Sequence, residues 1–417
     1  MENKNSDKVI LHCDMNSFYA SVELLDYPDL VSKPVAVAGD PDGRHGIILA
    51  KNEPAKKKGV VTAETIWQAR RKCPDLVLLK AHHEKYNDFY KKINEIYYRF
   101  TDLVEPFSID ESWLDVTASE ALFGSGEEIA YKIKDTVRRE LGLTQSVGVS
   151  FSKVFAKMGS EYKKPDAVTV ISRENYKDLL WPLPVREMFF VGKATAEKLS
   201  SLGIKTIGDL ACTDVDFLVK VFGKLGNVLY ENANGLDSSQ VSPMAERRKI
   251  KSVGNGITFK RDLLGEADVL TGLAALSDTV SGRLRKYGLK CSGVKVDIKN
   301  PEFVTISRQQ TLVSPTNRGD VIKKTAMELI KKNWNLNNPI RLITVTGIGI
   351  VGDEDYEQMN FLDNLESGDA DKGEKIEKTM DEIREKYGKS SIQIGRIVGN
   401  DLGIHYGEND IDDENDE

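Results

Sequence analysis

The sequence predicts an α/β chain in which an α/β region, a small helical segment and a second α/β region follow one another. Three observations predict it. The first 180 or so residues carry strand-like and helix-like stretches in a β-α-β-β-α-β order beneath shorter insertions. Pro182 and Pro184 then break the chain, and residues 185–242 show helical apolar spacing throughout. Beyond Ser242 and Pro243, a basic stretch (Arg247, Arg248, Lys249, Lys251) opens a region where strand-like runs return, to about Val351. A chain of 417 residues has room for about two to four domains, each with its own core.

In order, the apolar run at 9–13 is a short buried strand, and 16–25 is a helix with Asn16 or Ser17 as its cap. Residues 34–38 and 47–50 are short strands. A lysine-rich segment leads to a helix at 65–71, a strand at 76–79 and a helix at 84–100. In that last helix Tyr86, Phe89, Tyr90, Ile93, Ile96 and Tyr97 recur at helical spacing. Strands at 103–107 and 112–116 flank a tight link that holds Asp110 and Glu111. A helix at 127–141, a strand at 146–150 and a helix at 152–161 complete a ferredoxin-like sheet, which serves many functions and so decides none. In the second α/β region, 293–299, 303–309 and 342–351 read as strands, with helices around 267–287 and 318–333. The rest holds one amphipathic helix, 372–387, and an acidic end expected to be disordered.

The polar start MENKNSDKVI lacks the apolar core of a signal peptide, and no run approaches bilayer length. A cytoplasmic protein with no membrane partner is expected. Cys13, Cys73, Cys212 and Cys291 are scattered, with no CxxC pair, so neither a disulfide framework nor a zinc site is suggested. The five histidines form no metal-spaced set; the adjacent His82 and His83 do not share a helix face. The net charge of −7 argues superficially against a nucleic-acid partner. From Gly352 to the end, however, 7 Lys/Arg face 21 Asp/Glu, a balance of −14 that leaves +7 on residues 1–351. Met244 to Arg341 alone holds 19 basic against 9 acidic residues. A basic body with an acidic tail fits a nucleic-acid protein, although solvated basic faces would produce the same count.

Asp14 closes the first strand, and Asp110 and Glu111 sit at a hairpin tip. In a ferredoxin-like sheet that strand and hairpin are neighbours, so the three carboxylates can meet at one edge. Oxygen ligands of this kind suit Mg²⁺ or Mn²⁺, and paired ions serve enzymes that move phosphoryl groups. Taken alone, the same residues read equally as turn and helix-start residues. The backbone N–H groups of Ser17, Phe18 and Tyr19 open a helix just after Asp14, an anion site for a triphosphate. Lys164, just before Pro165, reaches towards the same phosphates.

With LHCDMNSFYASVE at 11–23, SIDESWLDVT at 108–117, SVGVS at 146–150, FAK at 155–157 and then Lys164-Pro165, the sequence resembles the Y-family DNA polymerases of the bacterial DNA polymerase IV type. The resemblance covers roughly residues 8–362 and keeps the motifs in order. It implies a palm at 1–30 and 75–181, fingers at 31–74, a helix-hairpin-helix thumb at 182–243, a little finger at 244–352 and an acidic tail at 353–417. It implies further that Asp14, Asp110 and Glu111 are catalytic and hold two Mg²⁺, with Mn²⁺ an alternative ion and the Met15 carbonyl completing a site. Ser17, Phe18, Tyr19, Lys56 and Lys164 would bind the deoxynucleoside triphosphate, with Tyr19 as a steric gate against the ribose 2′-OH. Without the motif, Tyr19 reads as a core aromatic.

The fingers depart from the family pattern. KNEPAK at 51–56 puts Glu53 where a tyrosine usually touches the triphosphate and Lys56 where an arginine usually stands. Glu53 is expected to face away from the phosphates. Asn16 stands where many relatives carry Asp. FVGKATAEKL at 190–199 followed by LGI at 202–204 looks like a helix-hairpin-helix, whose amides at Val191, Gly192 and Lys193 would grip DNA phosphates. By itself it is equally an ordinary helical packing unit. Lys251, Lys260 and Arg261 are the corresponding DNA contacts in the second α/β region. Gln358, Met359, Phe361 and Leu362, in QMNFL, look like a sliding-clamp peptide, with the usual Leu-Phe ending reversed.

The resemblance therefore implies an error-prone, template-directed polymerase without a proofreading module, monomeric, with primer-template DNA, dNTPs and a sliding clamp as partners. A two-metal nucleotide cyclase would explain the carboxylates but neither the thumb-like hairpin nor the basic domain. A DNA-repair scaffold with little or no catalysis is the alternative from another class, kept open by Glu53 and Lys56.

Overall fold

A computed structural model describes residues 8–39, 46–243, 249–352 and 367–404. These fall into two compact units, 8–243 and 249–404. Among the described residues no helix is long and apolar enough to cross a membrane.

The first unit runs β1 (Ile10–Met15), α1 (Phe18–Leu24), β2 (Val35–Ala38), β3 (Ile48–Lys51), α2 (Glu53–Lys57), α3 (Ile66–Lys72), β4 (Val77–Lys80), α4 (His83–Tyr97), β5 (Val104–Pro106), β6 (Glu111–Asp115), α5 (Glu120–Phe123), α6 (Gly126–Leu141), β7 (Gln145–Ser150), α7 (Lys153–Tyr162) and β8 (Val168–Ile171). It continues with five helices: α8 (Tyr176–Leu180), α9 (Lys193–Ser201), α10 (Ile207–Ala211), α11 (Val215–Phe222) and α12 (Lys224–Ala233). Its main sheet has the order β5-β6-β1-β7-β8. The first four of these strands are antiparallel to their neighbours, the ferredoxin-like arrangement expected. β8 adds a fifth strand parallel to β7, absent from the sequence reading. Its four residues alternate in burial, with Thr169 and Ile171 inward, but a run this short gives too little pattern in the sequence to announce a strand.

The two-residue period of β1 explains the layers. Leu11, Cys13 and Met15 join Ile93, Ile96, Ile129, Ile133 and other side chains of α4 and α6 in one core. Ile10 packs instead with Trp113 and with Ala156 of α7. His12 and Asp14 share Ile10's side of the pleat, so β1 presents Asp14 to the α7 face. The register then decides its neighbours: Asp14 lies opposite Glu111 on β6 and Ser146 on β7, and His12 opposite Trp113 and Gly148.

Gly148 lets α7 approach. A Cβ there would sit 1.8 Å from the Ala156 carbonyl oxygen and 2.4 Å from the Ser160 nitrogen, and Gly159 faces it from the helix. The other side of α7 supplies Val154, Phe155 and Met158 to the core of the helical segment, with Val185, Leu199, Leu210, Leu218 and Leu229.

Two expectations for this unit are corrected. The first helix starts at Phe18, not Asn16, and neither Asn16 nor Ser17 caps it through its side chain; Ser17 takes a left-handed φ of 50°. Asn16 is instead a tie between strands and turn, accepting from the Asp166 N–H at 2.8 Å and donating to Ser146 Oγ at 3.0 Å. Strand β4 pairs in parallel with β2 in a separate small sheet, β3-β2-β4. That sheet forms its own core with α2 and α3 through Ala36, Ile48, Ala55, Ile66 and Ala69.

The second unit comprises β9 (Ser252–Leu263), α13 (Gly265–Lys286), β10 (Leu289–Lys299), β11 (Thr305–Thr316), α14 (Gly319–Asn333), β12 (Ile340–Gly352) and α15 (Ser367–Tyr387). Its antiparallel sheet has the order β11-β10-β12-β9, with α13 and α14 packed together against it. β9 is not among the strands read from the sequence. Of its 12 residues only Val253, Phe259 and Leu263 are buried, spaced by Gly254, Gly256 and Lys260, so neither apolar alternation nor a continuous apolar run marks it. The acidic end is corrected further: α15 begins at 367, and residues up to 404 fold onto this unit. Ile397, Leu402 and Ile404 belong to its core, and the Leu402 carbonyl accepts from the Lys260 N–H at 2.8 Å. Residues 405–417 lie outside the described residues.

Candidate active site

One cleft gathers most of the residues that the sequence singled out. It has a volume of about 430 Å³ and is lined by Asp14, Met15, Ser17, Phe18, Tyr19, Lys56, Asp110, Glu111 and Lys164, and also by Lys51, Glu53, Thr62 and Glu161. Strand β1 ends at its floor, the β5–β6 link brings Asp110 and Glu111, and β3 with α2 forms the wall opposite.

The tightest acidic group is Asp14, Glu111 and Glu161, whose ligand-capable oxygens all lie within 4.8 Å of one another. Glu161 was missed from sequence; it is the last acidic residue of α7, and only the Gly148 contact brings that turn to β1. Asp110 lines the same cleft but stands outside the trio: its carboxylate accepts from Ser108 Oγ at 2.7 Å, and its carbonyl accepts from the Met15 N–H at 3.0 Å.

Electrostatics separate the carboxylates. Burial pushes Asp14 up to about 8, against the pull of the Lys164 ammonium. Lys164 Nζ is 2.7 Å from Asp14 Oδ2 and 2.7 Å from Glu161 Oε1, so one ammonium answers both carboxylates. Asp110 is likewise raised, chiefly by burial. Burial works to raise Glu111 too, but the neighbouring His12, 3.7 Å away, and the hydrogen bond and charge of Lys157 outweigh it and hold this carboxyl at about 2. Lys157 Nζ lies 2.5 Å from Glu111 Oε2. His12 pairs through Nδ1 with Ser160 Oγ at 2.8 Å, and burial pushes its pKa down to about 4. Lys157 and His12 lie in the FAK and LHCDMN motifs, yet neither acquires a role from the sequence, since a half-buried lysine and a strand histidine carry no spacing signal.

The donor set fits hard divalent cations. It consists of carboxylate and carbonyl oxygens, with one oxygen each of Asp14, Glu111 and Glu161 close enough together to share a cation.

Tyr19 is half-buried between the core and the cleft. Its ring stacks on Tyr86 at 4.0 Å with an interplanar angle of 12° while it also lines the cleft. Phe18, by contrast, is buried in the core of the sheet. Glu53 corrects an expectation: it lines the cleft beside Lys56, whose Nζ is 3.5 Å from its carboxylate. Proline at 54 and the Asn52 cap, which accepts from the Ala55 N–H at 3.1 Å, fix this short helix and with it Glu53.

The remaining expected contacts lie elsewhere. Val191, Gly192 and Lys193 lead into α9; the Val191 side chain is buried, Gly192 is its N-cap with no heavy atom within 4 Å of a built Cβ, and Lys193 is exposed. Lys251 and Lys260 are exposed on and before β9. The guanidinium of Arg261, partly exposed, is engaged by Asp268 at 2.5 Å and Asp401 at 2.7 Å. Gln358, Met359, Phe361 and Leu362 lie outside the described residues.

Comparison with known proteins accounts for this arrangement. Residues 13–161 match the impB/mucB/samB family and residues 250–361 the C-terminal domain of that family. A DNA polymerase IV of Acetivibrio thermocellus is 45% identical over 95% of this chain and 99% of its own length. The chain belongs to the Y-family DNA polymerases, of the bacterial DNA polymerase IV type. DNA polymerase IV 1 of Bacillus subtilis is 40% identical over 94% of this chain and 93% of that protein. A solved Y-family DNA polymerase chimera of Dbh and Dpo4 superposes with a TM-score of 0.73 at 25% identity, covering 82% of this chain and 99% of the chimera. Within this Y-family chain, residues 173–204 match the family's HHH motif and residues 190–237 the thumb domain of DNA polymerase-iota. The helical segment of the first unit is thus the polymerase thumb.

Proposed function

We infer that the protein is a template-directed, error-prone DNA polymerase of translesion synthesis, adding deoxynucleotides to a primer 3′-OH. The observation that carries this is the register of β1 against β6, which sets Asp14 opposite Glu111 in a cleft that also holds Glu161, Asp110 and Lys164, in a Y-family chain.

Asp14, Glu111 and Glu161, with Asp110 and the Met15 carbonyl, would hold Mg²⁺ or Mn²⁺, which when bound, as two ions, activates the attacking hydroxyl and neutralises the leaving pyrophosphate. The chain's own side chains do the rest. Lys157 and His12 keep Glu111 ionised. Lys164 answers the charge of Asp14 and Glu161 and stands at the phosphate end of the cleft. Tyr19, backed by Tyr86, lies where a flat ring would meet the sugar. The α9 N-terminus, with Lys193, and the exposed Lys251 and Lys260 serve as sequence-independent phosphate contacts, so binding should weaken steeply with salt. We assign QMNFL at 358–362 to a sliding clamp, and the working form to a cytoplasmic monomer.

Primer extension with Mg²⁺ on intact and damaged templates tests the reading. Extension is expected from the wild type on both and from neither template with D110A/E111A. A primer that shifts on a gel but never lengthens would leave only a scaffold. Adding the clamp to a chain lacking 358–362 should produce no stimulation while clamp-free synthesis persists; equal stimulation rejects that assignment.

A further inference from the structure

The charges around the cleft are unevenly matched. Five carboxylates line it, Asp14, Glu53, Asp110, Glu111 and Glu161, against the ammonium groups of Lys51, Lys56 and Lys164. Lys164 is engaged by Asp14 and Glu161, and Lys56 faces Glu53. Lys51 differs from both. Its Nζ donates to Thr62 Oγ1 at 2.9 Å, and no ion pair to a carboxylate involves it among the described residues.

The local fold holds Lys51 in place. It is the last residue of β3, whose register pairs it with Ala36 of β2. The segment carrying Thr62 is pinned against the same strand, because the Ala63 N–H donates to the Ile48 carbonyl at 2.8 Å and the Ile48 N–H to the Glu64 carbonyl at 2.9 Å. Thr62 therefore presents its hydroxyl to Lys51 from a fixed backbone. Burial, then the neighbouring Lys56 charge, lowers the pKa of Lys51 against the smaller opposing pull of Glu53 and Glu64.

We propose that Lys51, steadied by Thr62, is the phosphate-recognising cation on the β3 wall of the cleft, binding the triphosphate of the incoming nucleotide where Glu53 offsets the charge of Lys56. This rests on the polymerase reading above. Thr62 is a positioning residue; Lys51 touches the substrate. A polyanion is the ligand that this wall lacks, and an ammonium already desolvated and oriented loses little on binding it.

The experiment uses the full-length protein with K51A, K51Q, K51R and T62V. Binding of a non-hydrolysable dNTP analogue with Mg²⁺ is measured by calorimetry, alone and with primer-template, beside steady-state extension and primer-template affinity without nucleotide. K51A and K51Q should each weaken analogue binding and raise the KM for dNTP about tenfold, the scale of one lost charge-assisted contact. The kcat should stay within about threefold and DNA affinity unchanged, K51R should stay near wild type, and T62V should fall between. K51Q preserves a hydrogen-bonding head for Thr62 and so reads the charge even where K51A unfolds. Unchanged analogue affinity, a loss confined to primer-template binding, or a fall in kcat alone overturns the proposal. A wild type that binds the analogue but never extends a primer sinks the polymerase reading instead, and the binding series still decides for Lys51.

Discussion

Tyr19, the proposed steric gate, is held by what stands behind it. Its ring lies against Tyr86 at 4.0 Å, and Tyr86 is anchored by donating its hydroxyl to Glu23 Oε1 at 2.6 Å inside the core. His83 closes a third side edge-on at 5.8 Å. A ring so supported cannot swing away from an added hydroxyl, which is what a steric filter requires. Tyr19→Ala should therefore improve ribonucleotide use relative to deoxynucleotide by about tenfold or more, with dNTP extension preserved, while Tyr19→Phe should discriminate like the wild type. The ratio of kcat/KM for matched dNTP and rNTP measures this, and an unchanged ratio in Tyr19→Ala discards the gate. Glu53 and Lys56 show the opposite situation: the sequence suggested that an acid could not face a triphosphate, yet the short helix after Asn52 sets it there with its own counter-charge.

Among the elements, α7 does most to assemble the site. One side of it joins the thumb core, and the other brings Lys157, Ser160 and Glu161 to β1. Both depend on how closely it lies on β7, and that distance is set by Gly148 against Ala156 and Gly159. Gly148→Ala places a methyl where backbone already is. We expect a loss of about 1–3 kcal/mol of stability, the usual range for overpacking. Extension by the folded fraction should also fall, because Glu161 and Lys157 move with the helix. Denaturant unfolding beside active-site titration separates the two effects; wild-type stability and rate in Gly148→Ala would show that the helix yields without cost.

For the molecule as a whole, the residues after β12 are part of a domain. The Arg285 guanidinium, only 7% exposed, is held by Glu377 and by Asp381 at 2.6 Å, and Arg384 reaches Asp278 at 2.9 Å. Glu377 also accepts the Gly319 N–H at the start of α14, at 3.0 Å. Truncation after Gly352 would strip these partners and uncover the apolar surface that Ile397, Leu402 and Ile404 bury. Leaving Arg285 without its carboxylates should itself cost about 3–5 kcal/mol. Calorimetry should show the transition of the second unit lowered and that of the first retained; an unshifted second transition would make these residues dispensable.

The sequence by itself determined the elements whose pattern is local. The strand ending in Asp14, the hairpin with Asp110 and Glu111, the helices at 83–97 and 126–141 and the family motifs were all readable, because each is encoded in adjacent residues whose apolar period or turn chemistry needs no partner. What only the tertiary structure decided depends on distant contacts. Glu161 enters the acidic trio through a glycine on another strand, Lys51 becomes a cleft cation through a hydroxyl 11 residues away, and Arg261 is occupied by an aspartate 140 residues later. β9 and the folded segment to 404 exist because neighbouring strands and a shared core supply hydrogen bonds and burial that their own sequences do not advertise. Local periodicity is written in one stretch of chain, whereas charge pairing and close approach belong to the two or three stretches that folding brings together.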